Sequence, residues 1–586
     1  MRLVELRAEI CRLLVLFAGI AAIGGGAGAQ DTRALKPVPF GCDGDTVTAI
    51  RIRSGIAPAT GITRSGTVQA ASRWLELSRS KTKDAVILAY MRLTTGELCT
   101  ELDRRESERL LRAQTFIASA SVRAIPDGPG RVHIEVDVVD EFPLLVAARV
   151  RRGTISSALL GSQNVAGRGI TLAASGERGF AYRDGFGVRF VQYGLLGAPA
   201  FAAVTAERRA VIGERVGFEV AAPFLTDLQV RAFHSSAGLE SGYSGLVRPD
   251  GDAASVFYRK TAYDVGWVSR IGTARGRGTV GFVGAALIGE DVRSGDDLVV
   301  VSDTGLVPVP GKPFGTSYQD FAITRVAAIG GLRTVRFITV RGFDALTAAQ
   351  DMGTGAQIGL LIGPSIEASG PSGNVLVATD VYAGFGNARS FVAARAVLEA
   401  RNDRDTHSWD AIVGTARFVW HARTGDARTH SATVEWSTVR QPVYPLQLTL
   451  RDPDSGVPGY GNSRFAGGSR VVAKVEERLM LPSMTRRADF ALTAFASAGK
   501  LWADDVPFGR ATGVEASAGV SLLGAFPAGS RRTYRMDLAF PFNPDGAGTH
   551  VELRFSVTDR ARMFWLEPRD VARARTGAVP VSLMRW

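Results

Sequence analysis

Side chains suited to catalysis or metal binding are scarce and scattered in this chain. Six histidines and three cysteines occur among 586 residues. There is no His-Glu-x-x-His pattern, and no histidine lies near a cysteine pair at metal-binding spacing, so nothing indicates a metal-activated water or a structural zinc clip. A Gly-x-Ser-x-Gly elbow is also missing, which leaves a serine-hydrolase nucleophile without its strained turn. Gly276-Arg277-Gly278-Thr279-Val280-Gly281 matches the dinucleotide Gly-x-Gly-x-x-Gly pattern, but alternating residues follow it. A phosphate cradle needs a helix there, so the segment reads as a turn before a strand. Asp380 and Asp537 lie inside alternating segments and read as water-facing carboxylates. The expectation is no enzyme, no cofactor and no metal.

The formal net charge of +12 raises the question of nucleic acid. The basic residues are spread along the whole chain, many at the ends of alternating segments, and form no patch or stripe. Anionic lipid headgroups or solvated loops account for them, and no nucleic-acid partner is expected.

The elements that would hold any functional residue begin with an address. Arg2, Arg7 and Arg12 lead into the apolar run Leu13–Ile23, and small residues end at Ala27-Gly28-Ala29. This is the three-part layout of a secretory signal over residues 1–29, with an apolar core well short of the ~20 residues a spanning helix needs. A Pro-, Gly- and Asp-rich linker follows to residue 45. Cys11 leaves with the signal, while Cys42 and Cys99 enter an oxidising compartment and could pair.

Thr46–Arg53 is a strand candidate, with Ile50 and Ile52 on one face and Arg51 and Arg53 on the other. Helical spacing follows over Ala71–Leu77 and Asp84–Leu93. It returns over Gly96–Arg112, where Leu98, Leu102 and Leu110 form a stripe that is expected to be buried. Phe116–Ile125 and the alternating Val132, Ile134, Val136 and Val138 flank the turn Pro126-Asp127-Gly128-Pro129-Gly130 and form a hairpin. This order, with Glu106–Ile117 and the closing Val136-Asp137-Val138-Val139-Asp140-Glu141, resembles a POTRA domain, the small periplasmic module that precedes the barrel in the BamA/TamA superfamily. The resemblance covers about residues 46–142.

Beyond residue 147 short alternating segments replace this texture. Gly187–Tyr193, Thr279–Leu287, Val375–Tyr382 and Ala411–Trp420 are examples. Tyr193, Phe224, Tyr263, Tyr382, Trp420 and Trp436 fall at or near segment ends, as interfacial girdles require. Alternation without long apolar runs fits strands with one face on lipid and one on water, and no fixed repeat suggests a propeller.

Gly161-Ser162-Gln163-Asn164-Val165-Ala166-Gly167-Arg168-Gly169 looks like the asparagine- and glycine-rich lead-in to the first barrel strand of BamA/TamA-type proteins, here Gly169–Ser175. Far downstream, Gly456–Gly468 carries Gly459, Tyr460, Arg464, Phe465 and Gly467 and runs into Val471–Arg478, with Glu476 and Arg478; Phe495–Trp502 follows, with Gly499, then Val514–Leu522 and Tyr534–Phe542. The order and spacing resemble the superfamily's closing strands. In that family an Arg-Gly-aromatic loop tip folds into the lumen and pairs with a carboxylate on a Phe-x-Asp-x-Gly strand. The tip here reads Val457-Pro458-Gly459-Tyr460 and the strand reads Phe495-Ala496-Ser497-Ala498-Gly499, so both charges are absent. Losing both can be nearly neutral, whereas losing one strands a charge. The loop is expected to tuck inward on Tyr460 and Phe465, with Arg464 a candidate replacement. Val340-Arg341-Gly342-Phe343 is a literal match to the tip but lacks the following strand and leaves too much barrel behind it.

The resulting expectation is a mostly β protein: a transmembrane antiparallel β-barrel over residues 147–557, of sixteen strands by the resemblance, after a small α/β POTRA-like periplasmic domain over 46–146. Residues 558–586 are a tail or, if Val579–Trp586 closes the ring, the last strand; His550–Val557 is favoured for that place. The resemblance implies a bacterial outer-membrane address and the insertion or translocation of unfolded outer-membrane or secreted client proteins, with outer-membrane lipids and accessory periplasmic or lipoprotein partners. The seam between the first and last barrel strands and the edge at Phe116, Ile117, Ala118 and Val122 would offer unpaired backbone groups to a client strand; Thr46–Arg53 is the alternative edge. A pore for a single exoprotein and a passive porin are the rivals.

Overall fold

The computed structural model describes residues 42–56, 81–151, 154–179, 183–209, 213–248, 253–272, 278–302, 305–309, 318, 320–369, 373–451, 455–482, 488–559 and 567–575. The expected signal sequence, most of the expected linker, Ala71–Leu77 and Val579–Trp586 lie outside them.

The first elements are β1 (Asp43–Ile56), α1 (Asp84–Leu88), β2 (Leu98–Thr100), α2 (Glu101–Arg112), β3 (Ile117–Pro126) and β4 (Arg131–Asp140). They form a sheet of order β2-β1-β4-β3, with β1 parallel to β4 and β4 antiparallel to β3. Helix α2 starts where the Thr100 hydroxyl accepts the Asp103 N–H at 3.1 Å, with Glu101 and Asp103 in its first turn and Arg109 and Arg112 in its last, as the helix dipole favours. Ile87, Leu110, Leu111, Phe116, Val122, Ile134 and Val136 make the core.

Two expectations change here. The linker ends earlier than residue 45, because Asp43 pairs with Thr100 and draws the chain into β1. Leu98 and Leu102 are exposed instead of forming a buried stripe with Leu110. Leu98 lies on a three-residue strand whose alternation turns Cys99 inward in its place. Cys42 and Cys99 are joined in a disulfide, with Cα atoms 4.8 Å apart.

The chain then enters a closed antiparallel barrel, from Leu144–Arg151 to Glu552–Asp559. Among the described residues it contains 22 strands, not sixteen. Two are appendages: Gly305–Pro308 folds back on Val280–Ser302, and Arg336–Arg341 continues past the end of Phe321–Arg333. The first barrel strand is Leu144–Arg151, followed by Thr154–Ser162; Gly169–Ser175 belongs to the third, Ile170–Glu177. The seam therefore joins Leu144–Arg151 to Glu552–Asp559. The asparagine- and glycine-rich motif is instead a turn between the second and third strands. There Asn164 Oδ1 accepts the Gly169 N–H at 2.8 Å, and its amide donates to Thr82 Oγ at 2.7 Å.

Alternation sorts the barrel's side chains. Leu172, Phe186, Val204, Phe233, Trp267, Ile358, Phe418, Trp436, Leu492, Leu538, Leu553 and Phe555 face outward and are exposed, the last two at 69% and 67%. Soluble monomers rarely expose an apolar patch above a few hundred Å², so a belt around the whole ring marks a lipid-facing wall. Inward, Glu290, Arg325, Asp380, Arg395, Glu399, Arg401 and Arg470 are buried. Of the proposed girdle residues, Tyr263, Trp420 and Trp436 face out, whereas Phe224 and Tyr382 are buried and Tyr193 packs on Phe116 of the α/β module, ring centroids 5.7 Å apart. No described helix is long and apolar enough to cross a membrane.

The α/β module is docked on the barrel end where it joins the first strand. Arg531 donates to the Gln114 carbonyl at 2.7 Å, Ser530 to the Glu141 carboxylate at 2.6 Å, and Arg532 to the Phe142 carbonyl at 2.9 Å. Arg109 stacks over Phe337 at 4.0 Å. Burial pushes the Glu141 carboxyl above its ordinary pKa, against the pull of Arg532 and Ser530. A carboxyl raised on folding favours the folded junction while it is protonated, and that contribution fades as pH rises through the raised value. Amide exchange at residues 140–142, corrected for intrinsic rates, should therefore slow as pH is lowered from neutral into the carboxylate range. Glu141→Gln should weaken this dependence; an unchanged pH profile in that variant would refute the assignment.

Candidate functional site: the filled lumen and the module edge

Between the strands Arg428–Arg440 and Ser469–Met480 a long connection folds into the barrel. Leu448–Thr449 pairs with Ala466–Gly467, and Leu450, Val457 and Tyr460 are buried against Val472, Leu501 and Ala547. The tip holds Gly459 at φ +95°, where an added Cβ would meet Pro541 at 3.2 Å. The N–H groups of Gly459 and Gly461 both donate to the Glu552 carboxylate, at 2.6 and 3.2 Å, and the Tyr460 hydroxyl donates to the Ala516 carbonyl at 3.2 Å. The tip is thus held by backbone donors, on a carboxylate that comes from the last strand at the seam. Arg464 does not take over, since it is exposed. Phe465 lies beneath Arg510, 5.6 Å from ring centroid to guanidinium, and Gly467 is required because a Cβ there would fall 2.2 Å from the Trp502 carbonyl oxygen.

The residues expected to support this loop divide. Gly499 does so directly: Val457 lies over it, and a Cβ would meet Val457 Cγ2 at 2.6 Å. Glu476 instead pairs with Lys474 at 2.7 Å and Arg535 at 2.6 Å, and the Phe495 ring lies under both cations. Arg478 serves a different insertion, donating to the carbonyls of Phe343 at 2.7 Å and Asp344 at 3.3 Å.

That insertion is the Arg-Gly-Phe match. Arg336–Arg341 and the start of Ala349–Ser369 form a hairpin whose tip, residues 342–348, crosses to the far wall at the module end. Phe343 stacks on His421 with centroids 5.2 Å apart, Thr429 donates to the Gly342 carbonyl at 2.6 Å, and Leu346 packs among Ala491, Leu523 and Ala525. Both Gly-aromatic loops therefore lie inside the barrel, entering from opposite ends. Sequence reasoning weighed them as rivals for one place.

On the module, Phe116, Ile117, Ala118 and Val122 turn their side chains into the core, so only backbone is offered at the edge of β3. Part of it is already engaged. Arg531 reaches the Ile117 carbonyl at 3.3 Å, Glu108 accepts the Val122 N–H at 3.1 Å, and Arg104 donates to the Val122 carbonyl. Glu108 also pairs with Arg112, which holds Asp351 of the hairpin at 2.7 Å. The alternative edge, β1, is covered by β2 near its start.

No family model and no curated protein matches the chain. Similar solved structures include BamA from Haemophilus ducreyi lacking POTRA domains 1–3 (12% identity, covering 88% of this chain and 85% of that one, TM-score 0.34). CdiB from Escherichia coli is another (11% identity, covering 94% and 97%, TM-score 0.40), as is CdiB from Acinetobacter baumannii (9% identity, covering 88% and 74%, TM-score 0.39). What the strand pairing and the apolar belt define on their own is a membrane β-barrel with an attached α/β module and a lumen filled by its own chain.

Gly499→Val should lift the inward loop off its socket, because buried, β-branched Val457 has little room to yield. Limited trypsin digestion of the folded barrel should then cut at Arg464 several-fold faster than in the wild type; equal rates would show that the loop does not depend on this contact.

Proposed function

We propose that the protein is an outer-membrane factor that inserts or translocates other polypeptides, with its α/β module acting as a periplasmic POTRA-type domain. The observation that carries this reading is the placement of an edge strand beside the barrel seam. β3 is the outer strand of the module sheet, and its partner β4 passes within four residues into Leu144–Arg151, one side of the seam. A client strand added at β3 would lie next to the junction with Glu552–Asp559. Extended chains are recognised in this way because main-chain hydrogen bonds supply affinity without a fixed sequence. In lipid each pairing also relieves backbone groups whose isolation costs several kcal/mol, so no nucleotide is needed.

The engaged groups at Ile117 and Val122 make docking an exchange: a client takes the hydrogen bonds that Arg531, Glu108 and Arg104 make in its absence. Unfolded client proteins, membrane lipids and accessory periplasmic or lipoprotein partners are the partners this activity calls for. A pore for a single exoprotein is the second reading, favoured by the same module. A passive porin is disfavoured, because two inward loops occupy the lumen.

Removing the protein from cells should deplete several outer-membrane barrels at once, measured by membrane proteomics. Loss of one secreted protein alone would favour the exoprotein pore, and no change in either would sink the proposal. A photo-crosslinker at exposed Ser119 should capture nascent barrel proteins, whereas one at Leu98, on β2, should not.

A further inference from the structure

Beyond the last strand, residues 567–575 rest inside the barrel in a site built for them. Asp570, in the short helix Arg569–Ala574, meets Arg470 at 2.8 and 3.3 Å. The Arg470 side chain is 1% exposed, and it also donates to the Thr449 carbonyl of the inward loop. Val571 and Ala574 are buried against Tyr258, Val292, Val413, Val439 and Tyr444, with the two tyrosine rings stacked 4.9 Å apart. The Tyr444 hydroxyl donates to the Arg573 carbonyl at 2.8 Å, and Lys260 donates to that of Arg575. Arg575 itself lies 3.6 Å from Glu399 and pairs with Glu567 at 2.5 Å.

The site thus has an order: a guanidinium that selects a carboxylate, an aromatic and aliphatic floor that takes two small apolar side chains, then a carboxylate and an ammonium that fix an arginine and its carbonyl. Its walls come from strands around the ring and from the inward loop, so whatever occupies it also blocks the lumen.

We propose that this is a peptide-binding site whose resident ligand is the chain's own tail, and that the bound tail closes the barrel at rest. Opening a water path then requires the tail to leave Arg470 and the Tyr258–Tyr444 floor. The proposal does not depend on what the barrel handles, since it concerns the path and not the cargo.

The test uses full-length protein in planar lipid bilayers, with folding of each variant checked by heat-modifiable gel mobility. Arg470→Asp and Asp570→Arg should each raise single-channel conductance several-fold, and the double variant should return it toward the wild-type value. A synthetic peptide spanning residues 567–575, added to the Asp570→Arg protein, should close it again, whereas the same peptide with arginine at position 570 should not. Wild-type conductance in both single variants would overturn the proposal. So would a double variant as open as the singles together with a peptide that has no effect. If one single variant does not fold, the other and its peptide response decide the matter.

Discussion

Everything in this molecule follows from the demand that no backbone N–H or C=O remain unpaired in hydrocarbon. This chain meets that demand by closing a sheet on itself. Closure then fixes the side-chain chemistry. Each strand must turn alternate residues outward, and an unbroken wall of Leu, Val, Phe and Trp results. The charged residues between them have nowhere to go but inward. The lumen is therefore the polar core of the protein, and its order comes from pairing of charges more than from apolar packing.

Those pairings are dense. Glu290 binds Arg325 at 2.9 Å and Arg401 at 2.6 Å, and Asp380 receives Arg395 through both its oxygens at 3.0 and 2.6 Å. Deleting one member of such a pair typically costs about 3–5 kcal/mol, because the other is left buried without compensation. The inserted segments obey the same rule. Gly459 and Gly461 answer Glu552, Asp344 lies against His421, and Asp570 answers Arg470. Each insertion adds a hydrogen-bonding partner that wall residues would otherwise take from water, so filling the lumen and stabilising the wall are one event.

Periodicity made the architecture legible. Strict alternation in Val132–Val138 and Val375–Tyr382 specifies strands on either side of a boundary, and Pro126–Gly130 between two such runs specifies a hairpin. Strand number was not legible in this way. Thr154–Ser162 has weak alternation, and a six-residue strand such as Arg336–Arg341 has too few repeats to separate a continuation from a new element. Leu98 shows the same problem within the module, where a three-residue strand abutting a helix was absorbed into the helix's spacing. The loop at Gly459 and Tyr460 was placed inside only by the resemblance of its order and spacing to a family's closing strands, not by any signal in its own residues. Its partner could not be named, since Glu552 lies far along the chain and its role depends on the last strand closing the ring. The tail helix gave no periodic signal at all. Its position comes from a single carboxylate meeting a buried arginine.

The contact between Gly459, Gly461 and Glu552 ties these themes together. Glu552 is the first residue of the strand that forms one side of the seam, and that strand's other neighbour, Arg532–Pro541, supplies Pro541 against Gly459. The loop tip thus holds the seam strand from the inside, through backbone donors that carry no net charge of their own. An arginine at the tip would form a stronger but longer-reaching bond to a carboxylate deeper in the wall. Two glycine N–H groups can reach Glu552 only where the backbone itself comes within hydrogen-bond distance, which fixes the tip against the last strand far more narrowly than a flexible side chain would. A tip without an arginine is therefore not a loosened loop: its backbone binds the seam strand directly.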